Sequence, residues 1–104
     1  MMADVPKIKY NGREITPAPV KMRVWRELLQ DGDAEGTMDI GARMEYYLAA
    51  ICKVFGRDEI TPDVLQDILT VDEVIPLYSA CAQYVFGLAV SRLDKLPNAE
   101  TPTA

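Results

Sequence analysis

One segment, Val74 to Val90, constrains the fold more than any other because it is apolar on nearly every side of a helix. A surface helix places its apolar residues in a single stripe, and this segment has too many of them for one narrow stripe. They are Val74, Ile75, Leu77, Tyr78, Cys81, Ala82, Tyr84, Val85, Phe86, Leu88, Ala89 and Val90. The preferred interpretation is that this is the central helix of the core. The alternative is that part of its surface is left for a partner.

Two helices are predicted in the first half of the chain. The first covers Val20 to Gln30, and its apolar side carries Val24, Trp25, Leu28 and Leu29. The polar run Asp31–Gly36 contains two glycines and predicts a flexible connection. Thr37 is expected to cap the second helix, which reaches about Phe55 and stops at Gly56.

Two more helices are predicted in the second half. Thr61-Pro62-Asp63 combines a hydroxyl cap, a proline and a first-turn acid, and so predicts the start of a short third helix. Thr70 and Glu73 have the spacing of a capping box that begins the last helix, from about Val71 to Leu93. Pro76 lies near its beginning, where the ring bends a helix or shifts its start. The tail from Pro97 to Ala104 is expected to be disordered.

A hairpin is predicted ahead of the helices. Residues 7–16 alternate apolar and polar around Asn11-Gly12, a pair that favours the positive φ angles of a tight turn. A lone hairpin is marginal in water, so some of its apolar residues, Ile8, Tyr10 and Ile15, must rest on the helices. The prediction is a mainly α fold in one domain over residues 1–96, with a short N-terminal β-hairpin followed by a compact bundle of about four helices.

Composition limits the class of partner. The 104 residues are 49% apolar and 26% charged, which is typical of a globular protein. The formal charge is −5, from 16 acidic and 11 basic residues, so we expect no nucleic acid as a partner. We expect no stretch to approach the ~20 apolar residues that span a bilayer, and Met1 to Pro6 lacks the regions of a signal peptide. We therefore expect a cytoplasmic protein without a membrane partner.

The residue types predict no catalytic role. The chain has no histidine, which is the commonest general base and the commonest transition-metal ligand. Cys52 and Cys81 alone do not form a zinc site, and because they lie among apolar residues we expect reduced thiols, with a disulfide as the alternative. The acids of Asp31–Glu35 suggest a calcium loop, but the twelfth position is Ala42 where such a loop needs Glu. We expect no enzyme, no cofactor and no metal.

Several segments together, in order, resemble the tail assembly chaperones of long-tailed bacteriophages. The likeness covers roughly residues 7 to 93 and lies in the pattern. The segments are the hairpin Lys7–Ile15, the step Pro17-Ala-Pro19 into Lys21–Arg26, the helix end Phe55-Gly56, the start Ile60–Leu65, and the capped Thr70–Glu73 leading into the long apolar helix.

The resemblance implies a helical chaperone of the short form. Such a protein binds the phage tape measure protein and keeps that long helical chain soluble while tail tube subunits are recruited around it. The expected partners are then the tape measure protein, the tail tube protein as a further candidate, and a second copy of this chain. The expected location is the cytoplasm of the bacterial host, with the protein absent from the mature virion. No single residue inherits a role from the resemblance.

The candidate partner-binding residues are large side chains on the first and last helices. They are Trp25, Leu28, Leu29, Tyr78, Tyr84, Phe86 and Leu88. An exposed apolar patch on either helix would mark a binding site. The alternatives are a structural virion or tail connector component, or another small helical interaction module. An enzyme would need an unconventional carboxylate site or a tyrosine site drawn from Tyr46, Tyr47, Tyr78 and Tyr84.

Overall fold

The order of elements follows the predicted one. The computed structural model describes residues 5–91, apart from the side chains of residues 32–35. Its elements are β1 (Ile8–Tyr10), β2 (Arg13–Ile15), α1 (Met22–Ala34), a 3₁₀ turn (Glu35–Thr37), α2 (Ile40–Phe55), α3 (Pro62–Ile68) and α4 (Val71–Val90). The mainly α fold with four helices behind a short hairpin is therefore confirmed. The predicted tail and Leu93 lie outside the described residues.

The hairpin forms around the expected turn. Asn11 has φ 53° and Gly12 has φ 74°, the left-handed values that a two-residue hairpin turn requires. The strands pair antiparallel, and Ile8 lies opposite Ile15. Both of these isoleucines are buried in the helical core, so the hairpin is stabilised by the helices as predicted.

The prediction of a flexible connection over Asp31–Gly36 is wrong. Helix α1 begins at Met22 rather than Val20 and continues through this polar run to Ala34. A glycine inside a helix costs only about 1 kcal/mol relative to alanine, which tertiary contacts can offset. One such contact involves Asp31, which lies just beyond the predicted end of α1 at Gln30. Its carboxylate is 3.9 Å from Nζ of Lys53 in α2.

The predicted cap of α2 is also wrong. Thr37 ends the 3₁₀ turn, and Asp39 is the N-cap residue. The Asp39 carboxylate accepts a hydrogen bond from the Ala42 backbone N–H at 2.7 Å. An aspartate satisfies a free N–H at a helix start as well as a threonine does, so the composition of 37–39 left two possible caps.

The remaining caps are those that the sequence predicts. The Thr61 hydroxyl accepts from the Val64 N–H at 3.2 Å at the start of α3. At the start of α4, the Thr70 N–H donates to Glu73 Oε1 at 2.9 Å. Helix α4 then continues without interruption through Pro76.

Two bonds tie the segment before α1 to the end of α2. The Ala18 N–H donates to the Phe55 carbonyl at 2.8 Å. The Arg57 Nε–H donates to the Thr16 carbonyl at 3.0 Å. Gly56 lies between these two points with φ 59°, the left-handed stop predicted for α2.

We predict that Gly56→Ala lowers the free energy of unfolding by about 1–2 kcal/mol, because alanine tolerates the left-handed conformation poorly. A Cβ at this position would lie 3.7 Å from the Ala18 Cβ, an ordinary contact, so the loss comes from the backbone and not from a clash. Urea denaturation followed by circular dichroism measures it. Gly36→Ala is the control, since its φ is not in the left-handed region and its Cβ meets nothing within 4 Å. Equal losses in the two variants would contradict the prediction.

The central helix of the core is α2, so the preferred interpretation of the last helix is wrong. Helix α2 contacts α1, α3 and α4. It supplies six buried residues: Tyr47, Leu48, Ala50, Ile51, Val54 and Phe55. Helix α4 supplies only Val74, Cys81 and Val85. Because α4 packs along one side against α2, much of its apolar surface stays at least partly exposed.

Candidate protein-binding surface

An open apolar groove lies between the beginning of α1 and the last turns of α4. We call it the α1/α4 groove. Its volume is about 280 Å³, and it is lined by Val20, Lys21, Met22, Trp25, Val85, Leu88 and Ala89. Every lining residue except Lys21 is apolar. A concave surface of this composition suits the apolar side of another protein better than a polar small molecule.

The α1 wall of the groove continues into an exposed apolar stripe. Met22, Trp25 and Leu29 follow at spacings of three and four, which places them on one side of the helix. Met22 is 66% exposed and Leu29 is 45% exposed. Trp25 is half-buried and packs against the core from the groove. The surface therefore offers two solvated apolar side chains beside a partly sheltered indole ring.

Helix α4 carries further exposed apolar residues outside the groove. Val71, Ile75 and Val90 are exposed, and Val71 has the largest exposed fraction, 81%.

The expectation that no stretch is long and apolar enough to cross a membrane is wrong, since α4 meets that test by length and composition. Little of the helix is buried inside the bundle. Helices that cross a membrane and helices that bind a partner share this length and composition.

Charge is distributed unevenly around the groove. Lys21, Arg23 and Arg26 are exposed at the beginning of α1, and none of them forms a salt bridge with another described residue. The acids on the other side of α1 are engaged, because Lys53 of α2 lies 3.2 Å from Glu27 and 3.9 Å from Asp31. Lys21 lines the groove and Arg26 borders the exposed stripe, whereas Arg23 lies on the side of α1 that carries Glu27. The groove therefore has a basic rim of two residues on a chain whose net charge is −5.

Three of the predicted partner-binding residues lie on this surface. Trp25 on α1 and Leu88 on α4 both line the groove, and Leu29 extends the α1 stripe. Sequence reasoning missed the other lining residues, which are Val20, Lys21, Met22, Val85 and Ala89. Met22 has a signal in the sequence, because it stands three residues before Trp25 and seven before Leu29. Val85 and Ala89 have no such signal, because α4 is apolar on so many sides.

The other predicted residues are engaged inside the protein. Leu28 is only 5% exposed and belongs to the core, because it lies on the side of α1 that faces the bundle. The Tyr78 ring stacks on Tyr47 with ring centroids 4.4 Å apart, and its hydroxyl lies 3.2 Å from that of Tyr46. Tyr84 and Phe86 are half-buried and pack against the core. The tyrosine cluster joins α2 to α4 and is explained by packing.

The two thiols are poor nucleophiles in this fold. Burial raises the pKa of Cys52 to about 11. Burial, with the neighbouring Cys52 as a second cause, raises the pKa of Cys81 to about 12. The thiolate is the reactive form, so little of either residue is reactive near neutral pH. Among the described residues, no group of three or more His, Cys, Asp or Glu side chains could hold a metal ion.

Comparison with known proteins finds no family model that matches the chain, and no curated sequence or solved structure with significant similarity to it. The resemblance to phage tail assembly chaperones rests on the sequence pattern alone, and it stays a prediction.

Proposed function

We propose that this protein is a chaperone that binds an amphipathic helix of another protein in the α1/α4 groove. Following the resemblance of the sequence, the client is the tape measure protein of a long-tailed phage, held soluble in the host cytoplasm during tail assembly. The observation that carries the proposal is the open apolar groove walled by Met22, Trp25 and Leu88. Grooves of this kind take the apolar side of a helix through anchors spaced three, four and seven residues apart.

The dimensions of the surface support a helical client. Met22 and Leu29 are seven residues apart, which corresponds to about 10 Å along α1. A client helix presents its apolar side chains over the same two-turn repeat. Trp25 lies between them, and tryptophan is enriched among the residues that dominate binding energy. The α1 stripe therefore offers a tryptophan anchor with an apolar residue on either side.

The expected affinity for one helix is modest. Full burial of an exposed apolar side chain such as Met22 or Leu29 contributes about 1.5–3 kcal/mol. Association costs at least about 4 kcal/mol in lost translational and rotational freedom. Each groove then holds its helix reversibly, and a long client needs many copies of the chaperone. Reversible binding also suits a protein that must leave when tail tube subunits arrive.

We predict that Met22→Glu lowers client capture at least about tenfold, because a carboxylate at the mouth of the groove must lose water when the helix docks. The measurement is a pull-down from cells that produce the phage, with tape measure chains quantified by mass spectrometry. Ile40→Glu is the matched control, since Ile40 is 69% exposed at the start of α2 and lies outside the groove lining.

Two outcomes would count against this function. Equal capture of the tape measure chain by both variants would mean that the groove is not the binding site. Incorporation of the protein into finished particles, without capture of a tape measure chain, would favour the structural virion component instead.

A further inference from the structure

The basic rim of the groove consists of Lys21 and Arg26, which lie five positions apart around the start of α1. Arg23 belongs to the same segment, but it borders a separate polar cavity with Glu27 on another side of the helix. Lys21 lines the groove itself. Arg26 lies four residues after Met22 and three before Leu29, so it borders the same exposed stripe. Any helix that docks in the groove passes beside these cations.

Lys21 and Arg26 form no ion pair within the part of the chain that the structure describes. The acids nearest in sequence, Glu27 and Asp31, lie 3.2 and 3.9 Å from Lys53 on the α2 side. Both rim cations are exposed, so their charges are available to acidic groups of a partner.

From this arrangement we propose that the α1/α4 groove selects a helix whose apolar side is bordered by acidic residues. The inference rests on the proposed function, because it assumes a helical client. Apolar contacts with Met22, Trp25 and Leu88 provide the binding, and glutamate or aspartate side chains on the client pair with Lys21 and Arg26. Complementary charge at a rim sets orientation, specificity and association rate more than total affinity.

Two other occupants share part of this chemistry. An anionic membrane attracts helices with basic and aromatic residues, but it presents a flat surface, whereas the groove is concave and has walls from two helices. A second copy of this chain offers the beginning of α4, where Val71 and Ile75 are exposed beside Asp72 and Glu73. That stretch belongs to a helix already packed on α2, which leaves only one side of it free to enter a groove. A client helix that is free on all sides fits the groove more fully.

The experiment uses two synthetic amphipathic helices of about 20 residues, a length that supports helix formation. They share one leucine stripe and differ only in the residues beside it, which are glutamate in one peptide and lysine in the other. Trp25 is the sole tryptophan of the chain and lies in the groove, so its fluorescence reports occupation directly. We expect the acidic peptide to bind the full-length protein about tenfold more tightly than the basic one at low ionic strength. The preference for the acidic peptide is expected to decrease as the salt concentration rises to about 0.5 M.

Charge reversal tests the rim itself. The double variant Lys21→Glu, Arg26→Glu is expected to prefer the basic peptide. Lys7→Glu, Lys9→Glu changes the net charge by the same amount at exposed positions of the hairpin and is expected to keep the wild-type preference. Circular dichroism melts of both double variants check that each remains folded.

The outcomes separate this inference from the proposed function. Equal binding of the two peptides, or no change of preference on reversing the rim, overturns the inference. If the tape measure chain is still captured in that case, the proposed function stands. Binding of phosphatidylglycerol vesicles with neither peptide bound overturns the inference in favour of a membrane. Self-association that rises with concentration and blocks both peptides overturns it in favour of a second copy.

Discussion

Phe55→Ala is expected to lower the free energy of unfolding by about 3–5 kcal/mol, the cost of emptying a well-packed aromatic site. Phe55 is the last residue of α2 and has no exposed surface. It lies in the same buried cluster as Ile51 and Leu65, where α2 meets α3. Since small domains have about 5–15 kcal/mol of total stability, the variant should be near the limit of folding.

Urea denaturation followed by circular dichroism measures the effect of Phe55→Ala. The matched control is Phe86→Ala, because Phe86 is the only other phenylalanine in the chain and is only half-buried on α4. We expect the control to lose clearly less stability, since a side chain that is already partly solvated leaves no closed cavity. Equal losses at the two positions would mean that α4 is buried more deeply than the structure describes.

Both thiols should react with iodoacetamide at least about a hundredfold more slowly in the folded protein than in urea at the same neutral pH. The cause is the burial that raises the pKa of Cys52 to about 11 and that of Cys81 to about 12, which removes nearly all of the reactive thiolate. Mass spectrometry of the alkylated peptides follows each residue separately. Fast reaction of either thiol in the folded state, or a disulfide between them in protein purified without reductant, would contradict the expectation.

The same pKa values determine how stability depends on alkaline pH. In the unfolded chain each thiol titrates near its ordinary value of 9.0, whereas in the folded state it titrates at about 11 or about 12. Below pH 9 both states keep the proton and the thiols contribute nothing to the pH dependence. As pH rises above 9, the unfolded state loses the protons first, so stability falls until the folded thiols also titrate. Cys81→Ala should reduce this alkaline loss of stability.

Most local structure was predictable because single residues decide it. The Asn11-Gly12 turn, the stop at Gly56 and the starts at Thr61 and Thr70 depend on backbone conformation or on one capping bond, and those are visible in a short window of sequence. The prediction failed at the end of α1 and at the cap of α2. Helix α1 continues past Gly32 to Ala34, because the strength of tertiary contacts cannot be read from local composition. Asp39 is the cap instead of Thr37, because both residue types can accept a free N–H at a helix start.

The candidate binding surface was predictable mainly on the α1 side. Trp25 and Leu29 stand out in the sequence because a short amphipathic helix has one apolar side. On α4, apolar residues occur around the whole helix, so the choice among Tyr78, Tyr84, Phe86 and Leu88 depends on which side α2 covers. The packing of α2 against α4 joins distant parts of the sequence. It places Tyr78 against Tyr47 and leaves Leu88 in the groove.

The two bonds that tie the segment before α1 to the end of α2 link the groove mechanically to the core. Ala18 is held by the Phe55 carbonyl, and Val20 and Met22 follow within a few residues as part of the groove wall. That wall is therefore anchored by a backbone hydrogen bond to the end of α2, where Phe55 has no exposed surface. The opposite wall belongs to the last turns of α4, a helix with little buried surface. The position of the first wall thus depends on the packing at the end of α2, so a substitution that disturbs Phe55 also disturbs the place where a client docks.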